Sequence, residues 1–349
     1  MPAANRPRRR RAGLRSKQTS FSWSRHRALV AVLLVFGFGL SGASGVVAYF
    51  LPAITAALNI TGHQTTGKSG KSKGATPSPS PGTTSAPSQP FNVLLLGSDN
   101  DTKFEPDHVL TQTMILVRVD PQTHSVVMFS IPRDLWVSLS TGGSAKIDAA
   151  YSYGGAAAAI QTVENDFGVP INYWVWIGLG GLVQLVNQLG GVNVVAQMPI
   201  LDDEYPSDLT GSNPYLQARI AVLPGPQRLN GVDALEYVRS RHGDILSDIA
   251  RSQKQQQLLL DIKAAAKTLG LADVPDIASS LGNSVKTDMS LTQLTSLLPL
   301  ARAFSDGDVN EVIMTGSPYF GSVIESDGED ALAPDWTQID ALVAQYFPT

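Results

Sequence analysis

The sequence predicts an α/β fold: a layered mixed β-sheet flanked by helices and preceded by one transmembrane helix. Three observations point there. Apolar runs of strand length alternate with amphipathic runs of helical period, the pattern of a layered sheet. Several of the strand-length runs are continuously apolar, as strands covered on both faces are. One uncharged stretch near the N-terminus is long enough to span a bilayer.

Residues 1–27 hold nine Arg or Lys with no apolar periodicity and are expected to form a basic cytoplasmic tail. ALVAVLLVFGFGLSGASGVVAYFL, 28–51, carries no charge over 24 residues and is the expected membrane span. Its basic flank precedes it and no charge follows before Lys68, so the positive-inside rule puts the N-terminus in the cytoplasm and the remainder outside. A cleaved signal peptide is the competing reading, with SGASG as a cleavage site, but the run exceeds a usual apolar h-region of roughly 7–15 residues. Residues 52–90 are then a linker, rich from residue 61 in Ser, Thr, Pro and Gly, holding the folded part off the membrane.

From Phe91 the elements follow in order. FNVLLLGSD is expected to be a buried strand feeding a loop, and TMILVRVD with SVVMFSIP a hairpin around PQTH. GGAAAAIQTVENDFG reads as a helix after Tyr153, INYWVWIG as a strand, LGGLVQLVNQLGG (179–191) as a helix stopped by glycine, and VNVVA as a strand. Residues 201–230 are expected to be a long loop. GVDALEYVRSR is expected to be a short helix running into an extended segment, and LSDIARSQKQQQLLLDIKAAAKTLG is the clearest helix. Residues 91–270 are taken as the main folded domain. Residues 271–349 are expected to extend it, mainly as helices with one strand at VNEVIMTG and a final helix near IDALVAQYF.

Charge is unevenly divided. Residues 1–98 contain twelve of the 26 Lys and Arg and none of the 30 Asp and Glu, leaving a formal charge of −16 (14 − 30) on the rest. So acidic a region argues against a nucleic-acid partner. There is no cysteine, which excludes disulfides, a thiol nucleophile and thiolate metal ligands.

Against that acidity, YVRSRHGDILSDIARSQKQQ (237–256) concentrates four cations: Arg239, Arg241, Arg251 and Lys254. Arg239 and Arg241, two apart on an extended segment, would share a face. Asp248, Arg251 and Gln255 fall on one helical stripe, with Ile249, Leu258, Leu259 and Ile262 expected on the opposite, apolar side. Planar guanidinium groups arranged this way bind phosphate bidentately, and three could hold a pyrophosphate. Taken singly, Arg251 and Lys254 are equally well read as surface helix charges paired with Asp248. A second group lies at strand exits: Asp99 after FNVLLLGS, and Arg133 with Asp134 in SIPRDLWV, where ligands of open α/β sheets bind.

In order and spacing, FNVLLLGSDN, TMILVRVDPQTHSVVMFSIPRDLWV, KIDAAYSYGG, LVNQLGGVNV and LNGVDALEYVRSRHGDILSDIARSQKQQ resemble the LytR-CpsA-Psr (LCP) family, from about Phe91 to Leu260. The resemblance implies an LCP-type layered fold and a cell-wall ligase. Such a ligase moves a glycopolymer from polyprenyl pyrophosphate to peptidoglycan through a phosphodiester, with polyprenyl phosphate leaving. It implies catalytic roles for Arg133, Asp134, Arg239, Arg241, Asp248 and Arg251, the arginines binding pyrophosphate and the carboxylates orienting them or accepting the hydroxyl proton. Lys146, Lys254 and Gln255 would bind substrate, and Asp99 would hold Mg²⁺ or Mn²⁺. The apolar runs INYWVWIG and LVQLVNQLGG would line a lipid groove or simply pack the core. One departure concerns the metal. Where the family reads Arg-(Ser/Thr)-Asp-Thr-Met, this chain has Leu110-Thr111-Gln112-Thr113-Met114, replacing the second carboxylate ligand by the neutral amide of Gln112. A catalytically weakened paralogue that binds without transferring, and a polyprenyl-pyrophosphate hydrolase, therefore stand as alternatives.

Overall fold

The computed structural model describes residues 87–98, 109–207, 213, 215–240, 247–267, 274–325, 328 and 330–348. The expected membrane span at 28–51, Asp99 and Arg241 lie outside these residues. Among the described residues no helix is long and apolar enough to cross a membrane.

The chain begins with three antiparallel neighbours, β1 (Phe91–Ser98), β2 (Thr111–Asp120) and β3 (Ser125–Ile131), the last two joined by the expected tight turn. A small ribbon of β4 (Trp136–Ser138) and β5 (Ser144–Lys146) follows. Next comes α1 (Ala150–Phe167), interrupted at Gly154 and at Gly155, whose φ is +64°. Then come β6 (Tyr173–Ile177), α2 (Leu179–Gln188) and β7 (Val192–Ala196). β6 lies parallel beside β1.

Where a loop over 201–230 was expected, most of the described residues form strands. β8 (Ile200–Pro206) and β9 (Gln217–Val222) form an antiparallel hairpin, and β10 (Gly225–Leu229) pairs with β7. Pro, Asp and Gly abound there, but alternating Ile200, Asp202, Tyr205, Ile220 and Val222 point inward and decide the outcome. The helix α3 (Gly231–Arg239) is capped by Asn230, whose side chain accepts from the Val232 and Asp233 amides. Only glycine fits at its first position, because a Cβ on Gly231 would stand 2.1 Å from the Val183 carbonyl oxygen of α2. Arg239 is the last residue of α3 rather than part of an extended segment; the helix takes in the first arginine of the Arg-x-Arg pair.

α4 (Ser247–Ala266) is the long helix expected. After it come α5 (Val274–Leu281), β11 (Val285–Thr287), α6 (Leu291–Ser296), α7 (Leu298–Ala303), β12 (Val309–Ile313), β13 (Phe320–Ile324), β14 (Asp330–Pro334) and α8 (Trp336–Tyr346). This region is therefore less helical than expected, and it completes the main sheet. The order β11-β6-β1-β2-β3-β12 puts two of its strands at the two edges.

Alternate residues of each central strand feed two cores. Phe91, Val93 and Leu95 of β1 face α2 and α4, while Leu94 and Leu96 face α1 and α8. Coverage of both faces explains why these strands read as unbroken apolar runs.

Candidate functional site

β1, β3, β6 and β12 run in one direction, so their carboxyl ends meet at a single sheet edge, where β2 begins. Ser98, Gln112, Thr113, Arg133 and Asp134, and Gly178 gather there for that reason, in the crevice where open α/β sheets place ligands. α4 runs past this edge and contributes Arg251 and Gln255.

Three connected chambers result. An inner one of about 430 Å³ is lined by Gln112, Arg239, Arg251 and Gln255 together with Asp202 and Glu204 of β8. An outer one of about 210 Å³ is lined by Gln112, Arg133, Asp134, Arg251, Ser252 and Gln255. Arg251, Gln255, Gln112 and Thr113 line both. Beneath them an apolar chamber of about 100 Å³, between Leu95, Ile115, Val175, Leu182, Leu259 and Ile262, shares Gly97, Thr113 and Gln255 with the inner chamber. Gly97 belongs to this geometry, since a Cβ there would come 3.0 Å from that of Thr113.

The apolar residues of α4 are therefore not opposite its polar stripe, as the spacing had suggested. Gln255, Leu259 and Ile262 lie four and three apart and continue one stripe, polar at the sheet edge and apolar below it. Ile249 faces the outer chamber beside Arg251.

Arg133 is the hub of the outer chamber. Its Nη1 donates to Gln112 Oε1, its Nε lies 3.2 Å from Asp134 Oδ2, and its Nη1 is 4.0 Å from Asp148 Oδ2. Asp134 also pairs with Lys146 Nζ at 3.8 Å, which is how Lys146 joins the group. Arg239 donates from Nη1 to the Pro206 carbonyl at 2.9 Å and lies over the Tyr205 ring at 5.7 Å. Burial pushes the Tyr205 hydroxyl above its ordinary pKa, against the pull of Arg239. Arg251 is 9 % exposed, a guanidinium largely withdrawn from water. Lys254 turns elsewhere: it is buried with its Nζ 5.7 Å from the Tyr237 ring centre, and it is absent from the linings of all three chambers. Asp248 lies in the first turn of α4, but its side chain is outside the described residues.

Four residues were not singled out from the sequence. Asp148, 4 % exposed, faces Arg133 from within the KIDAAY run. Asp202 and Glu204 lie in the stretch taken for a loop; Asp202 accepts from Ser240 Oγ at 2.8 Å. Gln256, fully buried, donates from Nε2 to Ser130 Oγ at 2.7 Å and to the carbonyls of Met128 and Val312 at 3.2 and 3.3 Å. It ties α4 to β3 and β12 one residue from Gln255.

The donors described around Gln112 do not suit a divalent cation. Its amide oxygen accepts from Arg133, the carboxylates of Asp134 and Asp148 face Arg133, and no group of three His, Asp or Glu among the described residues could hold a metal. A hard cation asks for several oxygens free of cationic partners.

The model of the LytR_cpsA_psr family matches residues 55–346. The chain belongs to the LytR-CpsA-Psr family. Its LCP relatives include the polyisoprenyl-teichoic acid–peptidoglycan teichoic acid transferase TagV of Bacillus subtilis, 32 % identical over 239 residues. They also include the biofilm regulatory protein A of Streptococcus mutans, 34 % identical over 238 residues. The matches take in 66 % and 63 % of this chain but only 58 % and 55 % of the relatives' lengths. The LCP fold itself recurs in the crystal structure of B. subtilis TagV, with a TM-score of 0.59 at 26 % identity over 75 % of this chain and 98 % of that one. It recurs also in TagT bound to LIIa-WTA, with a TM-score of 0.59 at 25 % identity over 75 % and 92 %.

Proposed function

We propose that this LCP protein is a membrane-anchored phosphotransferase that moves a glycopolymer from polyprenyl pyrophosphate to peptidoglycan on the outer side of the membrane. The observation that carries it is the continuity of the cleft. Arg133, Arg239 and Arg251 line its polar chambers, and an apolar chamber opens directly below Gln255. A pyrophosphate bearing a hydrocarbon tail on one side and a sugar on the other has that polarity. The relatives named as teichoic acid transferases support the same reading.

In the proposed reaction a sugar hydroxyl of the acceptor attacks the phosphorus nearer the glycopolymer. Its new P–O bond makes the phosphodiester, the bridging P–O bond breaks, and polyprenyl phosphate leaves with the bond's electron pair. Phosphoryl transfer asks the protein mainly for positioning and for stabilisation of negative charge, which the buried Arg251 and half-buried Arg133 and Arg239 would supply. Asp134 borders the outer chamber, fixed by Lys146 and Arg133, and in this reading takes the hydroxyl proton. No step runs through a metal. The Mg²⁺ or Mn²⁺ that the resemblance implies would need ligands beyond those described, and the test includes it.

The test uses the full chain with a polyprenyl-pyrophosphate glycopolymer and peptidoglycan, with Mg²⁺, with Mn²⁺ and with chelator. Linked product that disappears in Arg251→Ala supports the ligase. Donor binding without product in any metal condition sinks it in favour of a non-transferring relative, the second reading, which the Gln112–Arg133 hydrogen bond favours. Released phosphate without linked product points to hydrolysis. A C-terminal reporter active only in the cytoplasm would refute the proposed orientation.

A further inference from the structure

We infer that the outward face of the β8–β9 hairpin docks on a lipid bilayer and holds the mouth of the cleft at the membrane surface. The inference rests on the proposed use of a lipid-linked donor and goes beyond it by assigning a surface. Antiparallel hairpins commonly bury one face and present a polar one to water. This hairpin carries exposed apolar residues toward both ends of its outward face, with charged residues between them. Its inward residues Ile200, Ile220 and Val222 join the core, while Asp202 lines the inner chamber. Outward, Leu201 stands opposite Ala221 in the register, and Leu223 follows two residues on. Leu201 is 64 % exposed and Leu223 69 %. Before β9, Tyr215 and Leu216 are 90 % and 48 % exposed, adding an aromatic ring of the kind that settles at membrane interfaces. Between them Asp203 and Arg219 pair at 2.6 Å, and Glu204 borders the inner chamber.

Position selects a bilayer as the occupant. Pro206 and Gln217, paired at one end of the hairpin, line the inner chamber, and Tyr215 and Leu216 directly precede Gln217, so the aromatic end of this face adjoins the chamber while Leu201 and Leu223 lie toward its other end. A polyprenyl tail cannot cross water freely, so its groove has to open against the membrane. The chain carries its own apolar stretch at 28–51, and the 39 residues from 52 to 90 can reach roughly 130 Å when extended, ample for the far sheet edge to meet the same bilayer.

The absence of native cysteine permits a direct test. Full-length Leu223→Cys and Thr123→Cys, the latter in the turn at the opposite end of the sheet, are labelled with an environment-sensitive dye and reconstituted in phosphatidylethanolamine–phosphatidylglycerol vesicles carrying a lipid-borne quencher. Blue-shifted, quenched emission at 223 but not at 123 is expected. Equal signals at both positions overturn the inference. So does a shift at 223 that follows protein concentration instead of lipid, which would mean that a second copy covers the face. The double variant Leu201→Ser, Leu223→Ser should cut transfer from a vesicle-borne donor about tenfold, because interfacial binding scales with buried apolar area, and leave transfer from a short-chain soluble donor unchanged. Equal loss on both donors, or loss on neither, also overturns it. The dye readout needs no substrate, so docking without any transfer would refute the proposed function and leave this inference standing.

Discussion

The two faces of the main sheet are built from alternate residues of the same strands, yet they do different work. On the α1 and α8 side, aromatic rings interlock: Phe129 packs edge-on against Phe167 and Phe347 with centroids 6.1 and 5.9 Å apart, and Phe167 against Trp336 at 5.7 Å. On the α2 and α4 side, aliphatic residues of the same strands surround an apolar chamber. Hydropathy does not distinguish these faces; shape does. Rings that key into one another fill volume and fix a core. Branched aliphatics between a helix and a sheet can leave a space, and a space beside the cleft arginines offers a binding site.

Breaking this contrast should cost most on the packed face. Phe129→Ala should lower stability by about 3–5 kcal/mol, seen as a reduced denaturant midpoint, while the folded fraction keeps its affinity for polyprenyl phosphate. Leu182→Trp, in the open chamber, should do the reverse. It should weaken polyprenyl phosphate binding by about tenfold or more, roughly 1.4 kcal/mol, because the indole takes the tail's space, with the melting temperature changing little since the chamber accepts volume. Between the two, Gln256→Ala removes the three contacts that tie α4 to β3 and β12, and should cost about 1–3 kcal/mol. If Gln256 aligns Arg251 with Arg133, turnover in the folded protein falls with donor affinity nearly unchanged; unchanged turnover would make it a core contact only.

The smallest effect sharpens the comparison through pH. Asp166 on α1 and Asp261 on α4, one on each face, are both pushed up to about 6, Asp166 by burial and Asp261 by burial and then by the charge of Asp306. Since the folded state holds these protons more tightly than the unfolded chain, both residues are harmless at pH values below the unfolded carboxylate pKa. They become destabilising as pH rises toward 6 and remain so above it. Asp166→Asn and Asp261→Asn should therefore each raise the melting temperature at pH 7 and flatten its fall between pH 4 and 6. A loss of stability at pH 7 in either variant would show that the carboxylate makes a contact worth more than its burial costs.

The central strands, both long helices and the convergence of Arg133, Arg239, Arg251 and Gln255 were legible because each depends on local periodicity or on strand exits. Three things were not. The β8–β9 hairpin hid behind Pro, Asp and Gly, since its alternation is short and broken by a bulge between Asp202 and Tyr205. Asp148 and Gln256 act through partners distant in sequence, and no spacing announces such contacts. The surroundings of Lys254 include the Tyr237 ring, seventeen positions away on another helix, a contact no spacing announces.

The sheet order has a consequence for synthesis. Both outer strands, β11 and β12, come after all four inner ones. Until residue 313 has emerged, a nascent chain cannot close the sheet, and β6 and β3 present unpaired rims able to recruit strands from neighbouring molecules. A stop codon shortly before β11 would spare every arginine of the cleft and still yield a self-adhesive fragment.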